Sequence, residues 1–570
     1  MTRGEAEDLR DDDYYAHRRT AAHSLFARQR DLLLELRSDL DAARAAFSWP
    51  RPATFNWALE WFDVIAAGSR RPALELVGPD GQAEVITYQQ LSARSDQVAN
   101  WLAGLGVGRG ERVMVVLGQQ AELWETLLAC LKLGAVVIPT YTSLTRAEAA
   151  DRIGRGRVRH LLARSGSAAL FDGVELGTRI AVGEPVAGWA DYRDSHRAPL
   201  RFVPAGPTRA DDTAFAYFTS GTTSAPKLVT HTHASYPIGH LSSLYYNGLV
   251  PGDRHLNISA PGWAKHSWSS FFVPFSAEAT LVVPPEAVEP GDLPRLLERH
   301  RVSSVCAPPS VWARMAGDLG TAAPRLREAT SAGEPLPAEV GDAVESAWHV
   351  AVRDGYGQTE TTALIATTPG MARRPGWLGR PLPGWDIHLD DGAVCVDLTA
   401  RPVGMMTGYD GDPVRTRQAL GTGSYRTGDL AEQGPDGYLR ILGRSDDVFK
   451  SGGHRVSPYE LEAVLQTHPA VRAAAVVPGP HPVLGLAAHA VVELVPGRPA
   501  RVEELLAHVD AQVTRDLRIH SISFTERLPR TVSGKIRRSA VARPAPAPAP
   551  VAVPVPVPAP FSEGAPAHVR

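Results

Sequence analysis

What this 570-residue sequence lacks narrows its class before any motif is read. Cysteine is nearly absent. Cys130, Cys306 and Cys395 lie far apart, so they offer neither a disulfide framework nor a CxxC metal pair, and they point to a reducing compartment. No stretch approaches the roughly 18 uninterrupted apolar residues of a transmembrane helix. The N-terminus, MTRGEAEDLRDDDYY, is acidic and lacks the apolar run of a signal peptide. The expectation is a cytoplasmic protein with no membrane partner. Charge of one sign is also missing: a net charge of −3 excludes a chain-wide affinity for nucleic acid or anionic membrane. Charged residues reach only 21%, too few for a disordered polyelectrolyte.

Lysine is the most informative shortage. Of 59 Lys and Arg residues only five are lysine: Lys132, Lys227, Lys265, Lys450 and Lys535. Positions that merely need positive charge have gone to arginine. A remaining lysine then marks a place that requires a compact ammonium and rejects a planar guanidinium, chance survival being the other reading.

What is present is a long α/β pattern. Residues 1–47 form a charge-rich extension with a helical stretch, DLLLELRSDLDAARAAF, whose Leu32, Leu33, Leu36 and Leu40 recur at helical spacing. Residues 48–445 alternate helix and strand. SARSDQVANWLAGLG reads as a helix, RVMVVLG as a buried strand, ELWETLLACLKLG as a helix and AVVIPT as a strand. That alternation argues for layers of helices on largely parallel sheets. Residues 446–541 hold enough short elements for a separate small α+β domain. Residues 542–570 open with RPAPAPAPVAVPVPVPAP, which favours extended polyproline II and reads as a disordered tail or a tether. The GLGVGRG run follows a helix and precedes a strand, the wrong order for a dinucleotide loop.

The strongest local signal lies at 216–227, AYFTSGTTSAPK. A strand runs into Thr219, Ser220, Gly221, Thr222 and Thr223, and Lys227 follows. Hydroxyl donors, one glycine that lets the backbone approach, and one mobile ammonium suit a polyphosphate. The plainer alternative is a Ser/Thr-rich turn. His231 and His233 could pair on a strand face, but no third metal ligand is evident, which favours a structural role.

TSGTTSAPK resembles the phosphate-loop signature of the adenylate-forming superfamily, which includes acyl-CoA synthetases, luciferases and peptide-synthetase adenylation domains. SAGEPLP, DGYGQTE, YRTGDLAEQGPDGYLRILGRSDD, KSGGHRVSPYELE and LPRTVSGKIRR resemble further family segments in the expected order, over roughly residues 50 to 540. FNWALEWFDVIA, GWAKHSWSSFF and RPVGMMTGYDGDP look most like the medium-chain acyl-CoA synthetase branch. The resemblance implies a large adenylate-forming domain of layered sheets and helices, and a small mobile C-terminal domain. It implies a two-step reaction. A carboxylate attacks the α-phosphate of ATP, with Mg²⁺, and a thiol, usually that of coenzyme A, then displaces AMP.

It also implies roles for residues. Gly333, Glu334 and Pro335 would line one face of the adenine and Tyr356 the other, with Asp354 accepting from the adenine amino group. Thr359 would touch the α-phosphate and Glu360 would hold Mg²⁺. Asp429 would bind the ribose hydroxyls with help from Arg444, and Asp446 would be the hinge of the small domain. Arg455 would face phosphate, Gly453 would let the pantetheine pass, and Lys450 matches a lysine that serves the second half-reaction in some relatives. Lys535 would bridge carboxylate and α-phosphate during adenylation, and Lys227 is the other catalytic charge. Trp263 matches a gate between acid pocket and thiol tunnel, a packed core tryptophan being the alternative. Gly357 stands where acetate-restricted relatives carry Trp, so it should leave room for a longer or aromatic acid.

Some positions depart from the family. Ser224 replaces a loop glycine, Leu484 stands where a basic residue is usual, and VTRDLRIHSIS (513–523) lacks the usual Pro-Tyr-Lys-x-Pro. Coenzyme A phosphates often meet basic residues of this domain, so weak coenzyme A binding is an expectation, with Arg515 and Arg518 as possible substitutes. A carrier-protein thiol, or an aryl amine with ATP-activated nitrite, remain alternative acceptors.

Overall fold

Two long sheets carry the larger part of the chain, and both are mostly parallel. The structure is a computed structural model that describes residues 17–219, 226–286, 288–317, 319–320, 325–451, 454–514, 518–530 and 536–541. The eight-stranded sheet runs in the order Gly408–Tyr409, Lys227–Thr232, Thr213–Thr219, Val136–Pro139, Arg112–Val116, His160–Arg164, Thr178–Val182, Ala190–Asp191. From Thr213–Thr219 onward its strands are parallel, and the first two are antiparallel additions. The nine-stranded sheet is parallel from Val352–Gln358 through Glu328–Ala332, Ser304–Ala307, Arg254–Asn257 and Thr280–Val283 to Pro72–Val77. Antiparallel strands close both of its ends. Val136–Pro139 is buried at every position, as expected of a strand covered on both faces.

The helices follow from local chemistry. Tyr88–Gly104 starts on a capping box between Thr87 and Gln90 and buries Leu91, Val98 and Leu102. Ala121–Leu133 ends at Gly134 in the left-handed region, where a glycine bears no penalty. The N-terminal stretch differs from its sequence pattern: it forms two helices, Ala21–Glu35 and Leu40–Ala46. Asp39 breaks the run because its side chain caps the second helix at Ala42. Phe26, Leu33, Leu40 and Ala43 join the main hydrophobic core, so the extension is part of the larger unit. Arg18 ties it down by pairing with buried Asp63 and donating to the Phe202 carbonyl at 3.0 Å.

Lys132 had no role in the sequence reading and receives one here. Its ammonium is fully buried, 2.8 Å from Asp63 and paired with Asp96. Two carboxylates and two cations, Lys132 and Arg18, therefore neutralise one another inside the core. A guanidinium is too broad for the place that Lys132 occupies between two carboxylates.

The larger unit runs to Ser445 and also takes in Arg530, and the smaller begins at Asp446 and resumes at Ile536. A four-stranded antiparallel sheet, Ile387–Asp390, Ala393–Asp397, Ser424–Gln433, Leu439–Arg444, completes the larger one. The smaller unit has its own core around Leu461, Val476, Val492 and Leu505. Its three-stranded sheet pairs Val471–His481 with Gly485–Leu494 antiparallel, and Gly485–Leu494 with Ile519–Thr525 parallel. Helices Pro458–Gln466 and Val502–Asp510 belong to it.

Candidate active site

The predicted nucleotide residues come from strand ends and loops of the larger unit. Thr219 closes one strand and Lys227 opens the next, and the two are register partners in an antiparallel hairpin. Ser220, Gly221, Thr222 and Thr223 lie outside the described residues, as do Gly453, Lys535 and Arg515, and so does the side chain of Arg455. Lys450 is exposed on the short strand Phe449–Ser451 of the smaller unit. Asp446 is that unit's first residue.

Gly333 follows the end of the strand Glu328–Ala332, at the carboxyl edge of a parallel sheet, where open α/β sheets bind ligands. Its φ is +106° and a Cβ there would meet nothing within 4 Å, so open space lies beside it. Glu334 is half-buried and Pro335 exposed in the same loop. Asp354 accepts backbone N–H bonds from Gly355 at 2.9 Å and Leu336 at 3.2 Å. Burial nonetheless pushes its pKa up to about 7, against those bonds and the nearby Lys265 charge. Lys265 donates to the Ala332 carbonyl at 3.1 Å, which places a lysine next to Gly333.

Around Asp429 the predicted residues converge. The Tyr356 hydroxyl donates to its carboxylate, Gln358 Nε2 donates at 2.7 Å, and Arg444 lies 3.4 Å away. Gly428 has φ +79°, and a Cβ there would sit 2.7 Å from the Arg444 guanidinium, so only glycine lets that arginine lie along the strand. The Gln358 carbonyl oxygen accepts from the Tyr425 hydroxyl at 2.9 Å. The Glu360 carboxylate accepts from Tyr409 at 3.1 Å and is buried. Thr359 is held through its carbonyl, 2.7 Å from His231 Nε2. Because that carbonyl can only accept, His231 carries its proton on Nε2, and burial keeps it neutral with a pKa down to about 4. Two residues beyond Glu360, Thr362 sits at φ +91°, a strained conformation for a β-branched residue of the kind that clusters at functional sites.

Two expectations acquire different physical content. A Cβ on Gly357 would lie 2.1 Å from the Thr362 carbonyl oxygen and 2.8 Å from Ala363 Cα. The glycine is thus demanded by the close approach of the neighbouring strand at a register shift. Trp263 stacks on Tyr141 with centroids 5.4 Å apart, and the Arg152 guanidinium sits 4.2 Å over the other ring. Sequence reasoning missed Gln358, Tyr425 and Tyr409. All three stood inside quoted motifs, yet only the fold shows that their polar atoms meet.

The residues fit a magnesium–nucleotide pair. Among the described residues no three His, Cys, Asp or Glu side chains gather as a metal cage. Magnesium with a nucleotide does not need one, since one or two carboxylates plus phosphates and water suffice. Glu360 offers such a carboxylate.

Known proteins share the domains of this chain. The AMP-binding enzyme family matches residues 63–409, and the AMP-binding enzyme C-terminal domain matches residues 460–535. The chain is 35% identical to 4-hydroxybutyrate--CoA ligase 1 of Metallosphaera sedula, over 85% of this chain and 89% of that one. It is 29% identical to acyl-coenzyme A synthetase ACSM3, mitochondrial, of Mus musculus, over 89% of this chain and 93% of that one. The crystal structure of the anthranilate CoA ligase AuaEII with anthranoyl-AMP superposes with a TM-score of 0.77 at 27% identity, covering 86% of this chain and 96% of that one. Neither nitrite nor a carrier protein draws support from these relatives. The chain belongs to the adenylate-forming AMP-binding enzyme family, near its medium-chain acyl-CoA synthetases.

Proposed function

We propose that the chain is an acid–thiol ligase that activates a carboxylic acid with ATP and passes the acyl group to coenzyme A. The observation that carries this reading is the wired nucleotide site, in which Asp429, Tyr356 and Gln358 meet in a chain that matches the family over both domains. In the first step the carboxylate oxygen bonds to the α-phosphorus and the bond to the leaving pyrophosphate breaks. In the second the coenzyme A thiol attacks the acyl carbon and AMP leaves.

Thr219, Ser220, Gly221, Thr222, Thr223 and Lys227 would hold the phosphates. Gly333, Glu334, Pro335 and Tyr356 would flank the adenine, and Asp354 would accept its amino hydrogen. Asp429 and Arg444 would orient the ribose. Thr359 would meet the α-phosphate, and Glu360 would bind magnesium, which when present neutralises phosphate charge. Lys535 and Arg455 would come from the smaller unit about a hinge at Asp446, with Lys450 and Gly453 near the thiol. Catalysis then rests on positioning and charge complementarity.

The acid is a medium-chain or aromatic one, held beside Trp263 and Gly357. Coenzyme A, despite Leu484 at the hairpin tip, would find its charge partners in Arg515 and Arg518. Pyrophosphate release and thioester formation, measured on a panel of straight-chain, hydroxylated and aromatic acids with and without coenzyme A, test the reading. Acid-dependent pyrophosphate release with no coenzyme A thioester from any acid would overturn the acceptor. Absence of pyrophosphate release with every acid would overturn the whole.

A further inference from the structure

Tyr409 is the one described residue that touches both charges predicted to manage the phosphates. Its hydroxyl donates to Glu360 Oε1 at 3.1 Å, and the Lys227 ammonium lies 4.9 Å from its ring centroid. It is buried, with 7% exposure, so its ring cannot swing into solvent. Its backbone is fixed as well. Gly408–Tyr409 is an edge strand that pairs with Lys227–Thr232, setting Tyr409 opposite Val229. Backbone bonds from Thr407 to Thr230 and from Asp410 to Leu228 flank it, and the Thr230 and Thr407 hydroxyls meet at 2.8 Å. The strand that begins with Lys227 is therefore stitched to the strand that carries Tyr409. On the other side Met406 N donates to the Glu360 carbonyl at 2.8 Å.

We propose that Tyr409 is a positioning residue that holds the Glu360 carboxylate and the Lys227 ammonium at a fixed separation before the nucleotide arrives. The argument is geometric. Glu360 would bind the cation that rides on the phosphates, and Lys227 would bind the phosphates directly. The two must act on one polyphosphate, yet they come from different sheets. Both charges reach the same tyrosine, so a shift of either side chain toward the other would trade phosphate binding for an internal ion pair. Tyr409 satisfies each with a different part of one side chain, the carboxylate with its hydroxyl and the ammonium with its ring face. This rests on the ATP-binding reading of the preceding section.

The test is calorimetry of a non-reactive ATP analogue on the full chain, with and without magnesium, in wild type, Tyr409→Phe and Tyr409→Leu. Tyr409→Phe keeps the ring and loses the donor. Its magnesium-dependent gain in affinity should fall on the order of 10-fold, while magnesium-free affinity holds. Tyr409→Leu also removes the ring, so magnesium-free affinity should drop as well, by about 2- to 5-fold. Melting temperatures of both variants are measured alongside. The inference is overturned if Tyr409→Phe keeps the magnesium-dependent gain within about twofold of wild type. It is equally overturned if both variants lose all affinity together with their melting transition, which is the mark of a purely structural role. A wild-type chain that binds no analogue overturns the proposed function itself, whereas a difference confined to the variants bears on Tyr409 alone.

Discussion

The larger and the smaller unit use buried charge in different ways. In the larger unit, buried ions sit in sets away from the proposed nucleotide residues, among them the quartet of Lys132 and Arg18 with Asp63 and Asp96, and Arg353 with Glu328. A separate set of polar contacts runs from Asp429 to Gln358 and Tyr425, among the residues proposed to bind the nucleotide. In the smaller unit one ion cluster dominates: Arg538 forks onto Glu462 at 2.7 and 2.8 Å and also pairs with Asp447. Asp447 follows the proposed hinge residue, and Arg538 lies three residues after Lys535. The larger unit thus separates stability from binding, while the smaller one ties its helix Pro458–Gln466, its first residues and its C-terminal segment at one point.

The comparison breaks first at the quartet. Lys132→Met removes the ammonium that pairs with both Asp63 and Asp96, and breaking a buried ion pair by removing one partner costs about 3–5 kcal/mol. Urea unfolding should show that loss, while kcat per folded molecule stays at the wild-type value. Lys132→Arg should fail to restore it, because the guanidinium does not fit between the two carboxylates. A destabilisation below about 1 kcal/mol would mean that the quartet is ornamental, and that Lys132 survives by chance.

The second prediction tests the smaller unit's contribution. Lys535→Ala should lower acid-dependent pyrophosphate release on the order of 10²–10³-fold, the loss typical of one positioned charge at a developing oxyanion. ATP binding to the larger unit and thioester formation from preformed acyl-AMP should persist. If release stays within a few-fold of wild type, Lys535 has no such role and the contrast between the units loses its functional meaning.

How much of this was legible in the sequence depends on the kind of contact. Strands such as Arg112–Val116 and Val136–Pro139 were readable because a parallel strand buried on both faces writes a continuous apolar run. The break at Asp39 was not, because a capping side chain outweighs an apolar repeat that continues across it. Motif residues such as Asp429 and Glu360 were legible through resemblance, which supplies roles and no distances. Tyr409, Tyr425 and His231 were not legible, since each meets one residue of the Gln358–Glu360 stretch through a side-chain contact that only the fold creates. Gly357 carries a demand that the sequence did not show: beside any space it leaves for an acid, the close approach of a neighbouring backbone carbonyl leaves no room for a Cβ.

The smallest predicted effect sharpens the comparison within the larger unit, where one ligand-binding carboxylate is not charge-paired as Asp429 is. Burial pushes Asp354 up to about 7. The adenine amino group donates, and an ionised carboxylate accepts from it more strongly than the neutral acid does. As pH falls through 7 the free enzyme takes up a proton, which weakens that acceptor. The ATP dissociation constant should therefore rise by a few-fold between about pH 7.5 and 6, bounded by tenfold per unit. The sign for folding is opposite to that of an ion-paired aspartate. A folded pKa above the unfolded value of roughly 3.9 means that the proton favours the folded state, so this group's contribution to stability declines as pH rises from about 4 to 7. Asp354→Asn keeps an acceptor oxygen without a titrating proton. Calorimetry across that pH range should show a flat ATP affinity in Asp354→Asn, once the ionisation of ATP common to both proteins is subtracted. An equal slope in wild type and variant would show that Asp354 either does not titrate there or does not meet the base.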